Sequence, residues 1–242
     1  MATTLYSIAP SHPARAAGLM LKLKGIEHRI VNLPPGSQPL VLRARGFRGS
    51  TVPALDIDGR RLQGSLEISR ALEELEPQPP LFPAEPTLRA AVEDAERWGE
   101  AAYQPVPRRL FRWALTRDGK LREHLASESG MPAPSITGQL SLPISVLFAK
   151  LAGATEDTAR CDLEKLPHHL DRVDRLIADG VLHGEALNAA DFQIATTTRV
   201  LLNFPQLRDQ IEGRPAGEHA MRVAPDFGTE IPISFPPAWI EG

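Results

Sequence analysis

Cysteine is almost missing from this 242-residue chain: Cys161 is the only one. A single thiol excludes an intramolecular disulfide, a cysteine-based metal cluster and a Cys-x-x-Cys redox pair. His168 and His169 have no further ligand at useful spacing, so no metal is expected, and Cys161 reads as a small buried hydrophobe. Charge of one sign is lacking as well. With 27 Lys and Arg against 30 Asp and Glu the net charge is −3, so no strong field points to nucleic acid or to a membrane surface. No apolar run approaches the ~18–20 residues of a membrane span. The opening Met1-Ala2-Thr3-Thr4-Leu5-Tyr6 has no basic segment leading into an apolar core. The expectation is therefore no secretory signal and a cytoplasmic address.

What is present is ordinary for a globular protein: 42% apolar and 24% charged residues, with length enough for two domains. Proline is abundant, at 23, and clustered. Thr3 to Ile8 reads as a strand, Ala14 to Lys24 as a helix with Gly25 as its stop, and Glu27 to Leu33 as a second strand. Leu40 to Arg45 is a weak short helix. Ala54 to Ile57 and Arg60 to Gln63 flank Asp58-Gly59, a two-residue hairpin signal. Gly64-Ser65 opens a helix to Leu75, with Ser65 read as its N-cap. The order β-α-β-α-β-β-α implies a small mixed sheet, its first two strands parallel.

Glu76 to Pro86 holds five prolines in eleven residues and reads as a linker. Beyond it strand signals nearly vanish. The expected organisation is 1–76, a linker 77–87, and an all-helical part 88–242. Leu88 to Ala102 recurs at helical spacing, Pro105 and Pro107 interrupt it, and Leu110 to Leu115 resumes it. Ala126 to Pro143, rich in Ser, Gly and Pro, reads as a loop or lid. Ile144 to Leu151 and Ala159 to Ala178 read as helices, the second kinked or restarted at Pro167. Asn188 and Asp191 form a capping box, with Leu187 placed to pack on Phe192, for a buried helix to about Leu202. Ala216 to Val223 is one more short helix. The proline-rich tail carries Phe235, Trp239 and Ile240, side chains expected to fold back onto the body.

Four pieces, in register, resemble the cytosolic glutathione transferases, serine-type and bacterial. They are Leu5-Tyr6-Ser7 leading to Ser11-His12-Pro13-Ala14-Arg15 and Leu23-Lys24-Gly25-Ile26; Val52-Pro53-Ala54-Leu55 with Asp58-Gly59; Gly64-Ser65 with Ile68 and Leu72, then Leu81-Phe82-Pro83; and Asn188-Ala-Ala-Asp191. The resemblance implies an α/β plus all-α fold: a thioredoxin-like N-terminal domain followed by an all-helical glutathione-transferase C-terminal domain. It also implies a homodimer with each active site near the interface.

On that resemblance Val52 and a cis Pro53 grip the backbone of glutathione, and Ser65 at a helix start holds its γ-glutamyl carboxylate. Gly64 stands where many members carry Glu or Gln. Ser11 is the expected catalytic donor, favouring the thiolate of the bound thiol, with Tyr6 and Ser7 as rivals. His12 either donates to the thiolate or co-substrate or is an exposed bystander. The thiol, glutathione or a relative, is a co-substrate, so no cofactor is implied, and a small electrophile is the other partner. Arg108, Arg109, Arg112 and Arg117 read as a solvated basic face or as a wall of the electrophile pocket. Two alternatives stay open: a non-catalytic binding or protein-interaction module, and a glutathione-dependent isomerase. Thiol–disulfide exchange is disfavoured, since Ser11 and His12 stand where a cysteine would be needed.

Overall fold

The computed structural model describes residues 3–240 except 10, 35, 183, 185 and 229. Pro10, Pro35 and the last two residues of the tail lie outside the described residues. The chain begins β1 (Thr3–Ser7), α1 (His12–Leu23), β2 (Arg29–Asn32), α2 (Gln38–Ala44), β3 (Ala54–Ile57), β4 (Arg60–Gln63) and α3 (Ser65–Leu75). The sheet order is β2-β1-β3-β4, with β1 and β2 parallel and β3 antiparallel to both β1 and β4. The hairpin turn forms because Asp58 and Gly59 both take positive φ, 49° and 85°, which the twist of two tightly joined strands requires.

Alternation along the strands makes two cores. Leu5 opposite Leu55, with Ile57 and Leu62, meets Ala16, Ala17, Met20 and Leu21 of α1 and Ile68, Ala71 and Leu72 of α3. On the other face Tyr6 and Ala54 pack with Leu33, Leu42 of α2 and Phe47. Tyr6 meets Phe47 edge-on at 5.6 Å between ring centroids. That small core ties α2 and the following loop to the sheet.

From Pro86 the chain is helical: α4 (Pro86–Trp98), a five-residue π-helical segment (Gly99–Tyr103), α5 (Pro105–Arg117), α6 (Gly119–Glu128), α7 (Pro134–Leu140), α8 (Leu142–Leu151), α9 (Glu156–Ala178), α10 (Ala189–Leu202), α11 (Arg208–Ile211) and α12 (Pro215–Val223). Several sequence expectations change here. Pro105 and Pro107 do not end a helix. They lie in the first turn of α5, where a missing N–H costs nothing. Pro167 neither kinks nor restarts α9, which runs through it with Leu163, Leu166, Leu170 and Val173 buried. The expected loop or lid at 126–143 is helical. Gly130 at φ 64° follows α6, and Pro134 and Pro143 sit in the first turns of α7 and α8. Residues that looked like loop composition are helix starts and stops. Cys161 is only half-buried.

α10 is the axis of the helical part. Every residue in it but Arg199 is buried. Its three threonines survive burial because each hydroxyl donates to a carbonyl one turn back: Thr196 to Phe192, Thr197 to Gln193, Thr198 to Ile194. α1 lies along α10 and joins the sheet to the helices. The proline segment is held by Glu73, which accepts from Leu81 N at 2.8 Å and from buried Lys24 Nζ at 2.6 Å. The tail does fold back: Phe235 is buried and Trp239 packs on Trp113 at 5.0 Å. Among the described residues no helix is long and apolar enough to cross a membrane.

Candidate active site

Strand register brings three loops to one place. Tyr6 pairs with Ala54, so β1 leaves the sheet beside Pro53, and the Val52–Pro53 peptide is cis. The carbonyl of Pro53 accepts from Gly64 N at 3.0 Å, which ties the start of α3 to the same corner. Ser11, four residues past β1, caps α1. The N-termini of α1 and α3 thus point into one region, where backbone N–H groups and helix dipoles favour negative charge.

Three hydroxyl-bearing residues lie near the end of β1. Tyr6 is buried with its ring edge-on to Phe47. Ser7 Oγ donates to the neighbouring Ile8 carbonyl at 3.1 Å. Ser11 is half-buried, and its Oγ accepts from Ala14 N at 3.3 Å. Capping uses the oxygen as acceptor and leaves the O–H to donate.

The start of α3 differs from the expected arrangement. Ser65 is the first helical residue, and the cap is Gly64, which has no side chain to close the helix. Gly64 sits at φ 86°, ψ 152°, a region essentially restricted to glycine. That is the local reason no Glu or Gln stands there. Glu67 reaches back to Gln63 N at 2.9 Å, and the first N–H groups of α3 are left without intrahelical partners. Ser65 is only 2% exposed, and its hydroxyl accepts from Gln193 Nε2 at 3.2 Å, reaching across from α10.

The helical part supplies the opposite wall. Glu100, in the π-helical segment, lies about 4.0 Å from where a side chain on Gly64 would begin. Burial raises its carboxyl above the usual range, with Arg108 acting against the rise. Arg108 donates to Gln104 Oε1 at 3.0 Å, and burial lowers its guanidinium. His12 is not an exposed bystander, nor is it free to reach a ligand. It is 4% exposed, and its ring pairs with the Gln104 carbonyl at 3.2 Å. Burial first, and the Arg108 charge second, push its pKa down to about 3, so it is a neutral pin between α1 and the helices. Gln104 Nε2 and Gln193 Oε1 are buried at this seam without partners among the described residues.

The four arginines read together in the sequence have separate fates. Arg108 faces the cleft. Arg109 forms a forked pair with Asp162 at 2.7 and 2.5 Å. Arg112 lies over Phe148 at 5.9 Å, and Arg117 pairs with Glu156. They do not form one solvated face. Sequence reasoning missed Glu100, Gln104 and Gln193. Only Gln193 carried a signal, as an amide inside a helix with an otherwise buried pattern.

On its other side Ser11 borders a cavity of about 240 Å³. Phe111, Leu121, Leu125, Val200, Phe227 and Ile231 give it apolar walls, and Arg15, His124 and Glu128 are polar groups at its margin. Arg15 donates to the Asp226 carbonyl at 2.5 Å, which holds the tail segment over the opening. A hydroxyl at a helix N-terminus thus lines an apolar chamber. Among the described residues no cluster of His, Cys, Asp and Glu could hold a metal ion.

Comparison with known proteins bears on the fold. Residues 5–80 match the family described as glutathione S-transferase, N-terminal domain. Among solved structures, the beta-etherase LigF from Sphingobium sp. strain SYK-6 superposes with a TM-score of 0.61 at 20% identity, covering 92% of this chain and 99% of that one. Maleylacetoacetate isomerase from Anaeromyxobacter dehalogenans 2CP-1, with dicarboxyethyl glutathione and citrate bound in its active site, gives 0.58 at 22% identity, covering 96% and 98%. The Tau class glutathione S-transferase of mango, Mangifera indica, gives 0.63 at 13% identity, covering 99% and 96%. At these identities the likeness is one of fold. No curated protein matches the sequence.

Proposed function

We propose that this chain, whose residues 5–80 match the glutathione S-transferase N-terminal domain, is a member of that superfamily that activates the thiol of glutathione and delivers it to a small electrophile. The observation that carries the reading is Ser11. Its O–H is left over from helix capping, and it lines the 240 Å³ chamber. The tripeptide lies along the cleft, its cysteinyl backbone on Val52–Pro53. Its γ-glutamyl carboxylate meets the start of α3, at Gly64 and Ser65, where unpaired N–H groups await an anion. The unpartnered amide atoms of Gln104 and Gln193 favour a polar ligand at this seam. His12 acts from behind, positioning Gln104 without touching the thiol.

The chemistry is nucleophilic. The Ser11 hydroxyl donates to sulfur and, with the α1 dipole, stabilises the thiolate against the thiol. The sulfur lone pair forms the C–S bond, and the electrophile's displaced pair leaves with its leaving group or takes a proton from solvent. The apolar walls suit an electrophile with an apolar body. The reaction uses no further cofactor, and the protein works in the cytoplasm.

Ser11→Ala tests this. Glutathione binding followed by calorimetry should persist, while conjugation to an activated aryl halide falls roughly a hundredfold, the usual cost of one hydrogen-bond donor to a developing or resident anion. The pH at which bound thiol ionises, read from thiolate absorbance, should rise. Unchanged turnover in Ser11→Ala would sink the catalytic role. Absence of saturable glutathione binding in the unaltered protein would instead leave a non-catalytic module. A glutathione-dependent isomerase is the second reading, favoured by the similarity in fold to the maleylacetoacetate isomerase over 96% of this chain. It predicts turnover in which glutathione is regenerated and not consumed.

A further inference from the structure

Four arginines stand on α5, and they divide into two pairs. Arg109 and Arg117 each face an acid, Asp162 and Glu156. Arg108 and Arg112, one turn apart, form no ion pair among the described residues. Arg108 donates to an amide oxygen, Gln104 Oε1, at 3.0 Å. Arg112 rests over the ring of half-buried Phe148 at 5.9 Å. Like charges at this spacing on a helix repel. Burial first, and the Arg108 charge second, lower the Arg112 guanidinium. Two cations held together without a counter-ion are not explained by the stability of the fold.

Their place on α5 gives them a use. Phe111 lies between them in sequence, one turn from Arg108, and is a wall of the chamber that Ser11 lines. Arg108 is also close enough to His12, the residue after Ser11, for its charge to act on the imidazole. At the other end α8 closes the space. A Cβ on Gly36, in the loop after β2, would meet Ile144 at 2.8 Å and Phe148 at 3.7 Å, so Arg112 stands beside the point where α8 touches that loop. Gln104 adds a third donor. It is 4% exposed, and its Nε2, on the same amide that receives Arg108, has no partner among the described residues. A buried donor left unpaired is costly unless something supplies the acceptor. One acid, Glu100, acts on Arg108 and stands beside Gly64. One carboxylate against two guanidiniums leaves the group cationic.

We propose that Arg108 and Arg112 bind a carboxylate carried by the electrophile, so that the acceptor of the thiol is an organic acid with its apolar body in the chamber and its anionic end on α5. A guanidinium fork matches a planar carboxylate with two parallel N–H···O bonds. A neutral electrophile fills the chamber and leaves both cations unpaired; an acid satisfies both. The inference rests on the thiol-transfer reading for what happens to the ligand, and on α5 and Gln104 alone for its charge.

A matched pair, para-chloro-meta-nitrobenzoate and para-chloro-meta-nitrobenzamide, tests it, because one substituent is anionic in the first and neutral in the second. In each, the sulfur forms a C–S bond at the ring carbon, chloride leaves with the C–Cl pair, and the thiol proton goes to solvent. With rates corrected for the uncatalysed reaction, kcat/KM of the unaltered protein should favour the benzoate about tenfold or more, as a charge-assisted pair allows. Arg112→Gln should cut that preference about tenfold, and Arg112→Lys should keep part of it. Arg108→Gln is a second probe expected to act in the same direction. Arg117→Gln, which removes a paired charge from the same helix, should leave the preference as it is. Calorimetric titration with each compound alone needs no turnover: the benzoate should bind more tightly than the amide, and its Kd should rise about tenfold in Arg112→Gln. If neither compound turns over, thiol transfer fails, and the titration by itself supports or overturns the anion site. The proposal is overturned if the unaltered protein binds and handles the amide as well as the benzoate, or if both Gln variants keep the preference. It is equally overturned if Arg112→Gln raises the KM for glutathione and leaves the preference intact, which would put the tripeptide's own glycine carboxylate on α5.

Discussion

The start of α10 and the start of α3 face the same problem, the unpaired N–H groups of a helix N-terminus, and they are finished in opposite ways. At α10, Asn188 Oδ1 accepts from Ala190 N at 3.0 Å and Asp191 N at 3.2 Å, while Asp191 Oδ2 accepts from Asn188 N at 2.8 Å. The leftovers are used too: Asn188 Nδ2 donates to the Val181 carbonyl at 2.8 Å, and Asp191 Oδ1 pairs with buried His219 at 2.7 Å. At α3 the cap is a glycine, and no side chain closes the helix. α1 lies between the two, with a serine that makes one capping bond and keeps its proton. A saturated terminus can only hold the fold. An unsaturated one, kept beside a cis-proline loop and a cleft, is able to hold something else.

Four substitutions press on that contrast. The largest effect is expected at the saturated end. Asp191→Ala removes a carboxylate with no exposure that bonds to Asn188 N and to the His219 ring. It should lower stability by about 3 kcal/mol or more in urea unfolding. A loss under about 1 kcal/mol would mean that the box is not what secures α10.

The next effect is a pH dependence at the seam. His12 has a native pKa near 3 against an ordinary value of 6.5. Below pH 6.5 the unfolded chain binds a proton that the native state refuses, so stability falls as pH falls through that window. The loss from this group should reach about 2 kcal/mol by about pH 5, at 1.36 kcal/mol per unit. His12→Asn should remove this part of the acid sensitivity, as measured by unfolding midpoints at neutral and mildly acidic pH. An identical pH profile in the variant would show that His12 is not held neutral at the seam.

The smallest effect is expected at the unsaturated end. Ser65→Ala leaves Gln193 without its acceptor and should cost about 1 kcal/mol of stability. It should also raise the glutathione Kd about tenfold, a change that Asn188→Ala, destabilising by a similar ~1 kcal/mol, should not produce. Equal effects of the two on binding would erase the distinction between them.

Much of the first half was legible because its signals are local. Asp58-Gly59 demands a hairpin turn, Gly25 stops α1, and strand alternation separates Leu5 and Leu55 from Tyr6 and Ala54. The capping box at Asn188–Asp191 was legible for the same reason, being complete within four residues. The helices of 126–143 were not, because Ser, Gly and Pro are shared by loops and by helix ends, and only position within a turn tells them apart. Of the candidate site, Ser11, Val52, Pro53, Gly64 and Ser65 were named through the family resemblance that segments of the first half carry. Glu100, Gln104 and Gln193 reach it from helices 36 or more residues beyond Gly64, where nothing local marks them.

By itself the sequence determined the helix and strand periods and the hairpin. Those are consequences of covalent geometry and nearest neighbours. The tertiary structure alone decided that His12 is a buried neutral pin and not a surface group. It placed Arg108 in the cleft and Arg109 against Asp162, and covered the Ser65 hydroxyl with Gln193. Burial and pairing depend on which distant elements come together, and no window along the chain contains both partners.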